Sequence, residues 1–175
     1  EQNFNVQTTL EESSDGKKEL YIEGIFMQAE KPNRNKRYYP INVLEPVVEG
    51  YGKEFVSKNR ALGELNHPDS PIVNPANASH LITNLRKEGN NFVGRAKILN
   101  TPVGETVRGL LEGGVQLGVS SRGMGSLKQR RDGINEVQSD FVLSTIDIVH
   151  DPSAPDAFVN GIMEGVEWIW ENELL

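Results

Sequence analysis

Two turn signals constrain this chain more than any other feature of it. Around Gly89-Asn90, the segment SHLITNLRKEGNNFVGRAKILN reads as two strands folded back on each other. Asp132-Gly133 marks a second and stronger hairpin turn within the strand-rich run from Val115 to Asp151. Such short turns join antiparallel neighbours, so the chain is expected to be strand-rich α+β, or a barrel with helices outside it.

The remaining segments fit between these hairpins. ELYIEGIFMQAE reads as a buried strand kinked at Gly24, and the Asn-, Pro- and Arg-rich KPNRNKRYYP after it as a loop. Ile41, Leu44, Val48, Tyr51 and Phe55 recur every three or four residues and predict an amphipathic helix, with Pro46 near its first turn. ALGELNHPDSPIVNP is turn-rich. Thr101-Pro102 opens a second helix that Gly113-Gly114 closes. Ile162, Met163, Val166, Ile169 and Trp170 share one face of a third, terminal helix. Residues 1–17 are polar without a sustained period and are read as a flexible N-terminal arm, or an edge segment at most. Residues 18–175 are then one domain, an ordinary size for a single core.

Composition narrows the chemistry. The 175 residues include no cysteine, which excludes a disulfide scaffold, a thiol nucleophile, a zinc finger and iron–sulfur ligation. A net charge of −7 argues against nucleic acid as a partner, because that needs a basic face. No apolar run is long enough to cross a bilayer as a helix, and no membrane partner is expected. No secretory signal pattern opens the sequence, and its start at Glu1 fits a processed or partial chain.

With only three histidines, at positions 67, 80 and 150, the acid–base candidates are few. His67 lies in Leu65-Asn66-His67-Pro68-Asp69, where a histidine is either a surface loop residue or a base held by a rigid scaffold. Ser120 and Ser121 lie in Gly118-Val119-Ser120-Ser121-Arg122-Gly123-Met124-Gly125. A serine among glycines is either solvated in a hairpin or open to close approach by a substrate backbone. Asp147 shares a strand face with Thr145 and Val149 in an apolar run; it needs a partner, whether backbone, arginine or histidine. Lys31, Arg34, Lys36 and Arg37 form a basic run that is either a solvated loop or a site for a carboxylate or phosphate. His150 and Asp151 give no recognised metal spacing with Glu64, His67 and Asp69. No phosphate loop occurs, and no metal or cofactor is expected.

Taken together, LYIEGIFMQAE, NRNKRYYP, ALGELNHP, GVSSRGMGSL and HDPSAPDAF resemble, in the same order, the prohead core protein proteases of T4-type tailed phages. The resemblance runs from about Leu20 to Phe158. It implies a herpesvirus-protease-like β-barrel surrounded by helices. It implies a serine endopeptidase with Ser120 as nucleophile, His67 as general base and, less directly, Asp147 as the residue that orients the base. Arg122 and the neighbouring amides at Ser121 and Gly123 are then oxyanion candidates; Arg34, Lys36, Arg37 and Arg122 are candidates for binding a substrate carboxylate. The implied substrates are scaffold and capsid proteins, and the protease itself, cut after Glu in apolar-x-Glu sites inside the prohead in the host cytoplasm. A zymogen precursor and a homo-oligomer are expected on the same ground. The competing readings are a catalytically silent prohead core protein with the same fold, and an unrelated anion-binding module built on the basic loop.

Overall fold

The computed structural model describes residues 7–12, 18–150 and 167–174. In chain order the strands are β1 (Gln7–Glu12), β2 (Lys18–Gln28), β3 (Arg37–Tyr38), β4 (Leu62–Glu64), β5 (Ala78–Glu88) and β6 (Asn91–Ile98). They continue as β7 (Gly118–Gly125), β8 (Leu127–Gln129), β9 (Asn135–Val137), β10 (Val142–Val149) and β11 (Glu167–Leu174). The α-helices are α1 (Ile41–Tyr51) and α2 (Pro102–Glu112). This is a strand-rich α+β fold.

Both expected hairpins are present. Strands β5 and β6 pair antiparallel down to Glu88 and Asn91, and Gly89 takes a φ of 64°, a left-handed value that glycine adopts without strain. Strands β8 and β9 close around Asp132-Gly133, with Gly133 at a φ of 84°. Helix α2 also follows its signals. The Thr101 hydroxyl oxygen accepts from the Gly104 N–H at 3.0 Å, Pro102 occupies the first turn, and the helix ends on Gly113. Helix α1 differs from expectation. It is α-helical only to Tyr51 and widens into a π-helical turn over Gly52–Val56. Pro46 lies inside it rather than in the first turn, which removes one backbone hydrogen bond.

The strands form three sheets, ordered β1-β2-β6-β5-β4, β10-β7-β11 and β3-β9-β8. The barrel expectation needs correcting on this point. A barrel closes by continuous ladders around its circumference. Here the five-stranded sheet ends on β1 and β4, and a single parallel bridge, Leu65 to Ile148, links its β4 end to β10. Among the described residues the sheets are open. The core fills the space between them with Leu20, Ile22, Phe26, Ile82, Phe92 and Ile98 from the large sheet, Val119, Ile146 and Ile148 from β7 and β10, and Leu44 and Val48 from α1. Each such side chain stabilises the fold by about 1.5–3 kcal/mol on burial.

Of the two terminal segments, the first takes the edge alternative and the second departs from the reading of the sequence. Gln7–Glu12, within the stretch read as an arm or edge segment, pairs antiparallel with β2 at the sheet edge. The segment Glu167–Leu174, expected as helix, is a strand paired with β7. Trp168, Ile169 and Trp170 favour extended backbone, and the open edge of β7 offers a full ladder that outweighs a short helical period. Ile162, Met163 and Val166 lie outside the described residues, as does the PSAPDAF block.

Candidate active site

The site begins with the pairing of β7 and β10. In their antiparallel register Asp147 stands directly opposite Ser120, so the two side chains share one face of the sheet. Alternation places Arg122 on that face as well, and Ser121 on the other.

His67 comes to the same place by a different route. After β4, Leu65 bridges Ile148 of β10, and the Asn66 N–H donates to the Ile148 carbonyl at 2.7 Å. Asn66 then takes a left-handed φ of 61°, a conformation that asparagine tolerates better than most residues. Pro68 restricts His67 to extended backbone. The chain therefore turns over the strand pair, and the imidazole falls between Asp147 and Ser120. Its Nδ1 is 2.7 Å from Asp147 Oδ2 and its Nε2 is 2.6 Å from Ser120 Oγ. A carboxylate only accepts, so Nδ1 carries the proton and Nε2 accepts from the Ser120 hydroxyl. Ser120 and Asp147 are 0% exposed, and the His67 side chain is 1% exposed.

Arg122 is where the structure departs most from the sequence reading. Expected as an oxyanion or substrate-carboxylate ligand, it is instead wholly buried behind Asp147. Its Nη2 donates to Asp147 Oδ1 at 3.1 Å and to Glu64 Oε2 at 2.9 Å, and its Nη1 donates to the Ser70 carbonyl at 2.7 Å. Its Nε lies 2.8 Å from Asp147 Oδ2, an ion-pair contact in which the N–H is not aimed at the oxygen. The Glu64 N–H also donates to Asp147 Oδ1, at 3.0 Å. A buried carboxylate without partners would cost several kcal/mol, and these donors together make this one tenable. A guanidinium engaged in this way holds the carboxylate in place and has no fork left for a substrate.

The other candidates fall elsewhere. Ser121 faces away from Ser120. Gly123 serves packing, since a Cβ there would come within 2.4 Å of the Val142 carbonyl and 2.7 Å of the Phe141 ring. Arg34 and Lys36 are exposed on the loop before β3, and Arg37 lies in β3 itself, which pairs with β9 and not with β4, β7 or β10. A cavity of about 410 Å³ lined by Tyr21, Glu23, Thr83, Asn84, Arg86 and Arg95 lies on the large sheet and contains none of the three central residues.

Three residues not singled out for this role support the site. Glu64, 2% exposed, binds Arg122 and also accepts from the Asn74 N–H at 3.2 Å. A lone acid in ALGEL was the available signal, because a charge in an apolar strand needs a counter-charge. His80 donates from Nε2 to the Ile146 carbonyl at 2.8 Å and accepts at Nδ1 from the Ser79 hydroxyl at 2.7 Å. Burial pushes its pKa below the ordinary histidine value, so it is a neutral strut that fixes β10 against β5. Tyr51 donates to Thr145 Oγ1 at 3.4 Å; burial is the main cause that pushes its phenol up to about 12.

Comparison with known proteins identifies the family. The family described as prohead core protein serine protease matches residues 4–167. The prohead core protein protease of Enterobacteria phage T4 is 45% identical over 156 residues, covering 85% of this chain and 74% of that protein. The solved structure of the bacteriophage T4 capsid assembly protease superposes with a TM-score of 0.74 at 36% identity, covering 83% of this chain and 96% of that one.

Proposed function

This chain belongs to the prohead core protein serine protease family, and from that premise we propose that it is a serine endopeptidase working through Ser120, His67 and Asp147. The observation that carries the reading is the unbroken line of contacts from Asp147 through His67 to Ser120, at 2.7 and 2.6 Å. Ser120 Oγ attacks the scissile carbonyl while His67 Nε2 takes its proton, forming a tetrahedral intermediate and then an acyl-enzyme. His67 returns that proton to the leaving amine, and a water deprotonated by the same nitrogen releases the acid. Asp147 fixes the tautomer and stabilises the imidazolium; it stays a carboxylate throughout. Arg122 and Glu64 hold Asp147 in place.

The proposed substrates are the scaffold and capsid proteins of the prohead, and the chain itself, cut after Glu in apolar-x-Glu sequences within the assembling particle in the host. Since Arg122 is engaged with Asp147, the cations proposed for the substrate glutamate are those of the Arg34, Lys36 and Arg37 loop. Homo-oligomerisation, synthesis as a zymogen, and a likeness of the fold to herpesvirus proteases belong to the same proposal. The bridge from Leu65 to Ile148 supports that last point, because it places β4 and β10 edge to edge.

The test is incubation with a peptide containing one apolar-x-Glu site, read by mass spectrometry. Cleavage after Glu is expected from the unaltered chain, little change from Ser121→Ala, and none above background from Ser120→Ala. Equal turnover by Ser120→Ala and the unaltered chain overturns the nucleophile, and no cleavage by the unaltered chain favours a silent assembly protein.

A further inference from the structure

Strand β7, which carries Ser120, is central in its sheet, with β10 on one side and β11 on the other. The β10 side supplies Asp147. On the other side eight consecutive pairs run without a break from Glu167 opposite Gly125 to Leu174 opposite Gly118. In that register Asn172 stands opposite Ser120 and Glu171 opposite Ser121, so the backbone of β11 passes alongside the proposed nucleophile at the spacing of neighbouring strands. The edge that β11 covers therefore runs directly beside Ser120.

A second observation concerns access. Ser120 and the His67 side chain are closed to solvent while the chain is fully seated. A hydroxyl that must meet the backbone of another protein needs some element to give way. Among the described elements around β7, β10 is committed through Asp147, and its ladder is part of the core. Strand β11 is the last described element, and among the described strands it pairs with β7 alone. Strand addition at such an edge draws affinity from the backbone and specificity from alternate side chains, so another strand of similar chemistry can take over the ladder.

We propose that the β7 edge from Gly118 to Gly125 is a peptide-binding site, and that β11 is its built-in occupant. A substrate segment binds antiparallel to β7 by displacing β11. The occupant indicates the chemistry of the peptide: an extended run with large apolar residues (Trp168, Ile169, Trp170) followed by glutamates (Glu171, Glu173). This inference rests on the protease reading above, and Ile169-Trp170-Glu171 has the apolar-x-Glu order proposed there. While β11 is seated, the site is shut to other chains.

The test uses the full chain carrying Ser120→Ala, with and without Ile169→Pro and Asn172→Pro. One proline falls at each strand parity, so that at least one removes an N–H directed at β7. A fluorescein-labelled peptide with the sequence of residues 167–174 is the probe. Affinity about tenfold or more higher for the proline variant is expected, because the competing occupant is gone. Equal affinity for both chains overturns the proposal. Should the prolines unfold the chain, hydrogen exchange on the unaltered chain gives the same decision. Saturating peptide should strip protection from residues 167–174 while 118–125 stay protected, and unchanged protection of 167–174 overturns the site. Peptide hydrolysis with Ser120 intact separates this proposal from its premise. Tighter binding without hydrolysis by either chain leaves the peptide site standing and removes the protease; equal hydrolysis with equal binding does the reverse.

Discussion

Replacing Arg122 by methionine tests the physical basis of the site without reference to catalysis. Arg122 is 0% exposed and is the cation between two buried carboxylates, Glu64 and Asp147. Methionine has similar bulk and no charge, so the change leaves both acids facing each other in a site closed to water. Removing one partner of a buried ion pair costs about 3–5 kcal/mol. For a domain of this size, 1 kcal/mol moves the melting temperature by about 2–4 °C, so a fall of roughly 6–20 °C is expected. Lysine in the same place keeps a charge but cannot bridge Asp147, Glu64 and the Ser70 carbonyl together, so it should recover only part of the loss. Adding Glu64→Gln to Arg122→Met should restore stability, since one of the orphaned charges is gone. Thermal and urea unfolding of the four chains give the numbers. A loss below about 1 kcal/mol for Arg122→Met, the scale of a solvated surface pair, would refute the reasoning.

Three further outcomes follow from the geometry. Asp147→Asn should reduce peptide cleavage by a factor on the order of 10³–10⁴, because an amide accepts but no longer anchors the Nδ1 proton against a charge; near-full activity would remove Asp147 from the mechanism. Gly63→Ala should destabilise by about 2–4 kcal/mol in urea unfolding, since its Cβ would fall 2.1 Å from His80 Nε2, on a ring pinned at both nitrogens. His80 makes stability pH-dependent. Its folded pKa lies below the unfolded value of 6.5, so the unfolded chain binds the proton first and stability is lost as pH falls from 6.5 toward the folded pKa. The steepest contribution is about a tenfold change in the folding equilibrium per pH unit, and it should disappear from the urea-unfolding profile of His80→Gln.

What could be read in the sequence was what local chemistry decides. Gly89-Asn90, Asp132-Gly133, Thr101-Pro102 and Gly113-Gly114 specify turns and caps within a few residues, and the two hairpins and α2 form where those residues stand. The site is a different matter. His67, Ser120 and Asp147 lie far apart in the chain, and their meeting depends on the β7–β10 register and on the turn at Asn66. Local spacing left each of them with two readings, and only the ordered resemblance of five segments pointed to all three. Arg122 looked available because it adjoins the serines. Its burial follows from sharing a sheet face with Ser120 opposite Asp147, which is a tertiary fact. The terminal segment differs from its helical expectation for a related reason: its helical period competes with an open strand edge that no local pattern displays.

The central claim, that Ser120 is activated by His67, is tested most directly by labelling with a fluorophosphonate and locating the adduct by peptide mass spectrometry. One adduct is expected, on Ser120, lost in His67→Ala although the serine remains, and undiminished in Ser121→Ala. An adduct on another residue, or labelling of Ser120 at the same rate without His67, would contradict it.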